Sequence, residues 1–179
     1  MKELIIDTSG EEGLLALVSP GKIWAEKRLA GGPDLSKNLG LEVKKIISLS
    51  QGPYDRITVG IGPGSFTGIR VGVSMAESLS MGWNIPLYTV CSLSGFVPDS
   101  PGDFAIVVDA RSGGFYVQFN SENPRLIKVQ EASEILISYP RIFSPHPLKI
   151  QERLPSISCL QGILSPSALS RFAEKKPPR

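Results

Sequence analysis

The stretch of this chain best suited to chemistry runs from Gly60 to Gly72, with the sequence GIGPGSFTGIRVG. It follows a short β-like run, Arg56–Val59, and leads into a segment with helical spacing that ends near Trp83. Glycines at such a junction let backbone N–H groups face an anion, or let another segment approach closely. The stretch is therefore either a loop that binds an anion such as phosphate or a packing device.

Neither common nucleotide-binding motif fits this stretch. A Walker A loop needs a lysine and then Ser or Thr after its last glycine, but Ile69 and Arg70 follow Gly68. The dinucleotide motif fails as well, because its second and third glycines would be one residue too far apart here. A generic anion site at the helix N-terminus stays open, formed by backbone N–H groups with Arg70. The candidate nucleotide- or anion-binding residues of the stretch are Gly62, Gly64, Ser65 and Thr67.

The stretch continues into small residues spaced by four along the predicted helix. Each interior glycine costs about 1 kcal/mol relative to alanine, so a close contact with another helix is the expected compensation. The second helix is either the segment 35–50 of this chain or a helix of another protein. The predicted interface residues are Leu39, Val43 and Ile46 on the first helix, and Gly68, Ile69, Gly72, Val73, Ala76 and Ser80 on the second.

Two aspartates end apolar runs in similar contexts: Asp7 begins the sequence DTS and Asp109 begins DAR. In a two-lobed nucleotide-binding fold, such carboxylates hold Mg²⁺ or orient phosphates. Each could instead cap a tight turn. For Asp109 the turn, or an ion pair with Arg111, is favoured, whereas both roles stay open for Asp7. We include Asp7, Thr8 and Asp109 among the candidate nucleotide- or anion-binding residues.

Histidine and cysteine chemistry is sparse. The single histidine, His146, lies in a proline-rich loop with no partner for a metal site, and no G-x-S-x-G elbow supports a hydrolase. The two cysteines, Cys91 and Cys159, match no metal or disulfide framework. We therefore predict no catalytic residues and no metal site.

The predicted elements form an α/β pattern that occurs twice. Three strands are followed by helix, strand, helix and strand, which builds a mixed sheet with helices as in ribonuclease H-like folds. The first set of elements is 4–8, 14–19, 22–29, 35–50 (with Asp34 as N-cap), 56–60, the glycine-rich turn with its helix, and 86–90. A weaker second set is 104–109, 115–120, 125–129, the helix 131–138, 141–143 and 156–160. We place the boundary between residues 1–97 and 98–179.

Composition limits the classes of protein that are open. Of the 179 residues, 41% are hydrophobic and 20% are charged, as in a globular protein with a core, and a net charge of +2 is not a nucleic-acid footprint. The N-terminus becomes acidic by Asp7, too soon for a signal peptide, and the apolar runs are too short to span a bilayer. We expect a cytoplasmic protein with no membrane partner.

Three motifs resemble those of the TsaB (YeaZ) family: IDTS at residues 6–9, the Gly60–Gly72 stretch, and DAR at residues 109–111. The resemblance covers about the first 120 residues. It implies a duplicated ribonuclease H-like fold of the actin/Hsp70/sugar-kinase-like (ASKHA) class. It also implies membership of the bacterial machinery that puts threonylcarbamoyl on N6 of adenosine 37 in tRNA. In that machinery TsaC or its homologue makes an adenylate, and the transferase TsaD uses it.

The resemblance implies a non-catalytic partner that binds and activates TsaD through first-lobe helices, joined by the ATPase TsaE. Homodimers through the same helices and only indirect contact with tRNA are expected. No cofactor is assigned to the chain itself; ATP and Mg²⁺ would enter at the level of the complex. The alternative is an ASKHA-type enzyme that binds ATP and Mg²⁺ with Asp7 and Asp109.

Two departures from the family pattern favour a scaffold over an enzyme. The sequence Asp34-Leu35-Ser36 stands where family members carry a histidine-serine pair. The second lobe, residues 98–179, is shorter than the family's, so we expect it to have lost helices.

Overall fold

The computed structural model describes residues 1–50, 52–110 and 113–175. The chain divides into two units, one formed by Met1–Ser92 with the segment from Ser165 onward, the other by Leu93–Leu164. In chain order the elements are β1 Glu3–Asp7, β2 Glu12–Ser19, β3 Lys22–Ala30, α1 Leu35–Ser48, β4 Arg56–Gly60, α2 Phe66–Trp83, β5 Leu87–Val90, a 3-10 turn Ser92–Phe96, β6 Ala105–Asp109, β7 Gly114–Phe119, β8 Arg125–Lys128, α3 Val129–Leu136, β9 Ile142–Ser144, α4 Pro147–Arg153, β10 Leu160–Gln161, α5 Pro166–Phe172 and β11 Glu174–Lys175.

The first unit is built on a six-stranded mixed sheet in the order β11-β5-β4-β1-β2-β3. β1 pairs antiparallel with β2 and parallel with β4, and β4 pairs parallel with β5. This topology is the predicted three-strand meander followed by two crossover helices. β1 lies in the middle of the sheet and all five of its residues are buried. Its carboxyl end therefore fixes where the glycine-rich turn can lie.

Helix α1 follows the predicted apolar spacing. Leu35, Leu39, Val43 and Ile46 are buried in the core of the first unit. Asp34 occupies the predicted N-cap position, but its side chain caps no N–H group; Asp34 contacts Lys37 at 3.2 Å instead. The apolar stripe, and not a capping side chain, therefore defines this helix.

The segment from Ser165 onward belongs to the first unit, although the sequence analysis placed it in a second lobe of residues 98–179. The buried Glu3 carboxylate accepts hydrogen bonds from Arg56 Nη2 at 2.8 Å and from Ser170 Oγ at 2.5 Å. Arg56 also donates to the Ser170 carbonyl at 3.0 Å. These polar contacts link α5 to β1 and β4. They escape sequence analysis because they join residues more than fifty positions apart.

The second unit repeats the scheme with a five-stranded sheet in the order β10-β9-β6-β7-β8. β6 pairs antiparallel with β7 and parallel with β9. Its core gathers around the fully buried Phe115 and the buried faces of α3 and α4. The duplicated architecture of mixed sheets with helices, predicted from the order of elements, is confirmed.

Two helices, α4 and α5, were not predicted. Both begin at a proline, Pro147 and Pro166, where the missing N–H costs nothing because no intrahelical acceptor exists for it. A strand was predicted at 156–160, where the structure has only the short β10. Within the described residues, no helix is long and apolar enough to cross a membrane.

Removing Glu3 alone should damage the first unit more than removing its whole ion pair. Glu3→Ala leaves the mostly buried Arg56 without its carboxylate, and we expect the free energy of unfolding to fall by about 3–5 kcal/mol. In the double variant Glu3→Met/Arg56→Met, apolar groups replace both charges, so most of that loss should be recovered. Denaturant unfolding measures both. Lys45→Met, which breaks the exposed Lys45–Glu42 pair, serves as a control with little effect.

Equal losses in the single and the double variant would contradict this account. They would mean that the apolar stems or the bonds to Ser170, and not the buried charge, hold α5 on the sheet.

Candidate functional site

The glycine-rich turn packs directly on the end of β1. A Cβ atom at Gly60 would overlap the Asp7 carboxyl group, and one at Gly64 would overlap the Ser9 carbonyl oxygen. The backbone N–H of Ser65 donates to that same carbonyl at 2.6 Å. The turn therefore needs glycine because the sequence Asp7-Thr8-Ser9 fills the space that side chains would take.

The next two glycines of the four-residue spacing continue this contact. A Cβ atom at Gly68 would overlap the Thr8 carbonyl oxygen, and one at Gly72 would overlap Thr8 Oγ1. Thr8 Oγ1 also donates a hydrogen bond to the Gly68 carbonyl at 2.7 Å. The small-residue stripe of α2 thus lies on strand β1.

The predicted close contact of that stripe with another helix is therefore wrong for its glycines. The stripe faces the sheet because β1 ends directly under α2, so the backbone and side chain of Thr8 fill the space beside these glycines. Ala76 is completely buried, and the Ser80 hydroxyl donates to the Ile85 carbonyl at 2.6 Å. Of the other predicted interface residues, Leu39, Val43 and Ile46 are buried in the core, while Ile69 and Val73 are half-buried. Substitutions at the buried positions would disrupt packing in the core of the first unit.

Asp7 lies completely inside the first unit. Its side chain is 0% exposed, and its Oδ1 accepts hydrogen bonds from Ser9 N at 2.9 Å and Ser9 Oγ at 2.7 Å. Its Oδ2 is buried with no hydrogen-bond partner of good geometry among the described residues. Burial raises the pKa of Asp7 above its ordinary value, while hydrogen bonding by Ser9 and, more weakly, by the Ser92 hydroxyl opposes the rise.

This environment does not fit a magnesium ligand. Mg²⁺ needs several oxygen ligands in octahedral geometry and keeps part of its water, but Asp7 has no exposed oxygen to offer. No group of three metal-ligating side chains occurs in the described parts of the chain. The role of Asp7 as a turn-holding residue, which the sequence left open against the magnesium role, is the one its contacts support.

Asp109 lies in the second unit, at the end of β6. It forms an ion pair with the Arg153 guanidinium, which is 4.6 Å from the centroid of the Phe115 ring. The predicted alternative partner, Arg111, is outside the described residues. Sequence analysis missed Arg153 because it comes from α4, which was itself not predicted.

The candidate anion-binding residues are only partly brought together. A cavity of about 300 Å³ opens between the first turns of α1 and α2. Of the predicted residues, Thr8, Ser65 and Thr67 line it, whereas Asp7, Gly62 and Gly64 do not. The remaining lining residues are Gly10, Gly32, Pro33, Leu35, Ser36, Gly68 and Val71.

Two of the hydroxyl groups of this cavity, those of Ser65 and Thr8, already have intramolecular roles. Ser65 is the N-cap of α2, and its side chain accepts a hydrogen bond from the Gly68 N–H at 3.2 Å. Thr8 is tied to the Gly68 carbonyl. Arg70, the proposed cationic helper, is exposed and lies over the Phe66 ring at 5.3 Å. The Ser65 and Thr8 contacts serve the helix itself.

Ser92 is a site residue that sequence reasoning missed. Its hydroxyl accepts a hydrogen bond from the Gly62 N–H at 3.0 Å, and its own N–H donates to the Gly62 carbonyl at 2.8 Å. Ser92 thus holds the glycine-rich turn from the side of β5. Nothing local marks it, since a serine after a strand is common.

The outer side of α2 carries a second set of small residues. Ser74, Ser78 and Gly82 are spaced by four, and all three are exposed. Apolar side chains are also exposed on these helices: Leu41 on α1 is 60% exposed, and Met81 on α2 is 82% exposed. This exposed small and apolar surface of α1 and α2 is called the outer helix face below.

Comparison with known proteins identifies the family. The family model TsaD, tRNA N6-adenosine threonylcarbamoyltransferase, matches residues 36–155. The chain belongs to this family. Among curated relatives, TsaB of Bacillus subtilis is 38% identical over 126 residues, which are 65% of this chain and 53% of that protein. An uncharacterized protein of Mycobacterium tuberculosis is 39% identical over 69 residues, 38% of this chain and 33% of that protein.

A solved structure gives the same assignment for the fold. YeaZ from Pseudomonas aeruginosa matches with a TM-score of 0.72 at 18% identity, covering 96% of this chain and 91% of that one. The predicted resemblance to TsaB (YeaZ) proteins and the predicted ASKHA fold class are confirmed. The chain spans between about a third and about half of the length of these two curated relatives.

Two glycines in α2 should respond in opposite ways to the same substitution. Gly68→Ala places a methyl group against the Thr8 carbonyl oxygen, and we expect a loss of about 1–3 kcal/mol in the free energy of unfolding. Gly82→Ala meets no atom within 4 Å, so the helix should gain up to about 1 kcal/mol from better propensity. Denaturant unfolding of the two variants gives both values. A Gly68→Ala variant as stable as the parent would refute the close packing on β1.

Proposed function

We propose that this chain is a non-catalytic subunit in the biosynthesis of N6-threonylcarbamoyladenosine in tRNA, where it binds a TsaD-like transferase. Family membership supports the pathway, and the curated relative of B. subtilis is named as a tRNA threonylcarbamoyladenosine biosynthesis protein. The single observation that favours a binding role is the outer helix face, which exposes small and apolar side chains on two adjacent helices.

The outer helix face has the features of a helix-pairing surface. Serine and glycine spaced by four leave a shallow groove in which a partner helix can approach closely. Met81 on α2 and Leu41 on α1 add exposed apolar side chains to the same pair of helices. Exposed apolar side chains on adjacent helices support a protein–protein contact. The proposal therefore keeps the predicted binding through first-lobe helices and moves it from the buried stripe to the exposed one.

The contacts of the two aspartates support the non-catalytic role in this proposal. Asp7 is completely buried, so it presents no exposed oxygen to Mg²⁺. Asp109 Oδ1 is engaged by the Arg153 guanidinium. The hypothesis of an ATP- and Mg²⁺-binding enzyme has no support in these contacts.

Further partners belong to the same proposal. A TsaE-like ATPase would join the pair formed with the TsaD-like transferase, and tRNA would be contacted only indirectly. A homodimer would compete for the outer helix face, since the same surface would be used. The same proposal includes a cytoplasmic location.

The outer helix face can be tested with a bulky charge at its centre. We expect Ser78→Arg to weaken binding to the TsaD-like transferase of the same genome at least about tenfold, which corresponds to about 1.4 kcal/mol. Ser78 is exposed, so the variant should keep its unfolding midpoint. Ser78→Ala is the conservative control, and Ile137→Arg changes an equally open position in the second unit. Size-exclusion chromatography with light scattering and calorimetry measure the association.

Two results would contradict the proposal. Parent-like binding by Ser78→Arg would reject the outer helix face as the contact surface. No binding by the parent chain would reject the partner role itself. Micromolar binding of Mg²⁺-ATP by the chain alone, lost in Asp7→Asn, would favour the enzyme instead.

A further inference from the structure

Asp7 is a buried ionisable group that the proposed function does not use. Within the described residues, no group donates a hydrogen bond of good geometry to its Oδ2, and no charged side chain is among the groups that shift its pKa. The groups around the carboxyl are the N–H and hydroxyl of Ser9, the hydroxyl of Ser92 and the backbone of Gly60. A carboxylate without a counter-charge in such a place would carry a large desolvation cost, which the neutral acid avoids.

The Asp7 carboxyl group lies against Gly60. The three atoms nearest to a Cβ at Gly60 would be Oδ2, Cγ and Oδ1 of Asp7. The Asp7 side chain thus occupies the volume that a side chain at position 60 would fill. Gly60 ends β4 next to β1, so the contact lies between two adjacent strands of the sheet.

The hydrogen bonds of Asp7 lead on to helix α2. Its Oδ1 fixes Ser9, and the Ser9 carbonyl accepts the N–H of Ser65 at 2.6 Å. Ser65 is the N-cap residue of α2. A path of direct contacts therefore runs from the Asp7 carboxyl to the start of the helix.

We infer that Asp7 works as an uncharged positioning residue, which fills the space above Gly60 and fixes the start of α2 through Ser9. This role is independent of the proposed function, because it concerns how the first unit folds and not what its outer helix face binds. It makes two separate statements, one about shape and one about charge, and each has its own test.

The statement about shape is tested by a double-mutant cycle. Gly60→Ala in the parent should lower the unfolding midpoint by about 5–10 °C, because its methyl group collides with the Asp7 carboxyl. In the Asp7→Ala background the collision partner is gone, so Gly60→Ala should cost almost nothing. Asp7→Asn keeps the shape, and in that matched control background Gly60→Ala should cost as much as in the parent. An equal cost of Gly60→Ala in the Asp7→Ala background and the parent would overturn this part.

The statement about charge is tested by pH. Because the pKa of folded Asp7 is raised, the parent gains stability from this group below the pKa of the unfolded chain and loses it as pH rises through the folded pKa. Asp7→Asn carries no ionisable group. The unfolding midpoint of Asp7→Asn relative to the parent should therefore rise as pH increases from about 4, then level off above the folded pKa. A difference that does not change with pH would overturn the uncharged state.

A measurement on the native chain keeps the inference testable even if Asp7→Ala fails to fold. Carbon NMR of the aspartate carboxyl groups should find one that stays protonated at a pH where aspartates of an unfolded chain are ionised. Its signal should be missing in Asp7→Asn. If all aspartate carboxyl groups of the parent titrate together near the ordinary value, the inference is wrong.

Discussion

The first unit depends on one steric constraint: the end of β1 is covered by the backbone of the glycine-rich turn and of α2. The buried sequence Asp7-Thr8-Ser9 meets a glycine at each of four positions spaced by four, from Gly60 to Gly72. A methyl group at any of these glycines would overlap an atom of that sequence. The close approach lets α2 lie directly on the central strand and sets the height of the helix above the sheet. Strand β1 and the residues that follow it therefore require glycine at these four positions.

This constraint explains why the turn looks like a ligand-binding loop. Phosphate loops and tight strand–helix junctions both need glycine, in one case to admit an anion and in the other to admit backbone. Here the Ser9 carbonyl accepts the N–H of Ser65, and the Ser65 hydroxyl accepts the N–H of Gly68. Protein groups therefore occupy positions that an anion would use in a phosphate loop. In this chain the glycine pattern allows the turn and α2 to pack closely on β1, and not the binding of an anion.

The local pattern predicted most elements of the first unit, because each strand and helix carries its own periodicity. Leu39 and Val43 were predicted on the helix 35–50 as interface residues, and the structure has that helix with both side chains buried in the core. The sequence could not show what the stripe of α2 touches, since a small-residue spacing describes a surface and not its neighbour. It also missed α5 and the Glu3–Arg56 pair, because partners far apart in sequence leave no local signal.

Helix α2 has small residues on two sides, and the reason for the small size differs between them. Gly68 and Gly72 are required by strand β1, so they belong to folding. Ser78 and Gly82 are exposed and nothing in the first unit requires them to be small; a Cβ at Gly82 would meet no atom within 4 Å. Glycine at an unconstrained helical position lowers helix propensity without a return in packing. The fold of the chain therefore does not explain why the residues on the outer side of α2 are small. A partner that packs closely against this side would explain it.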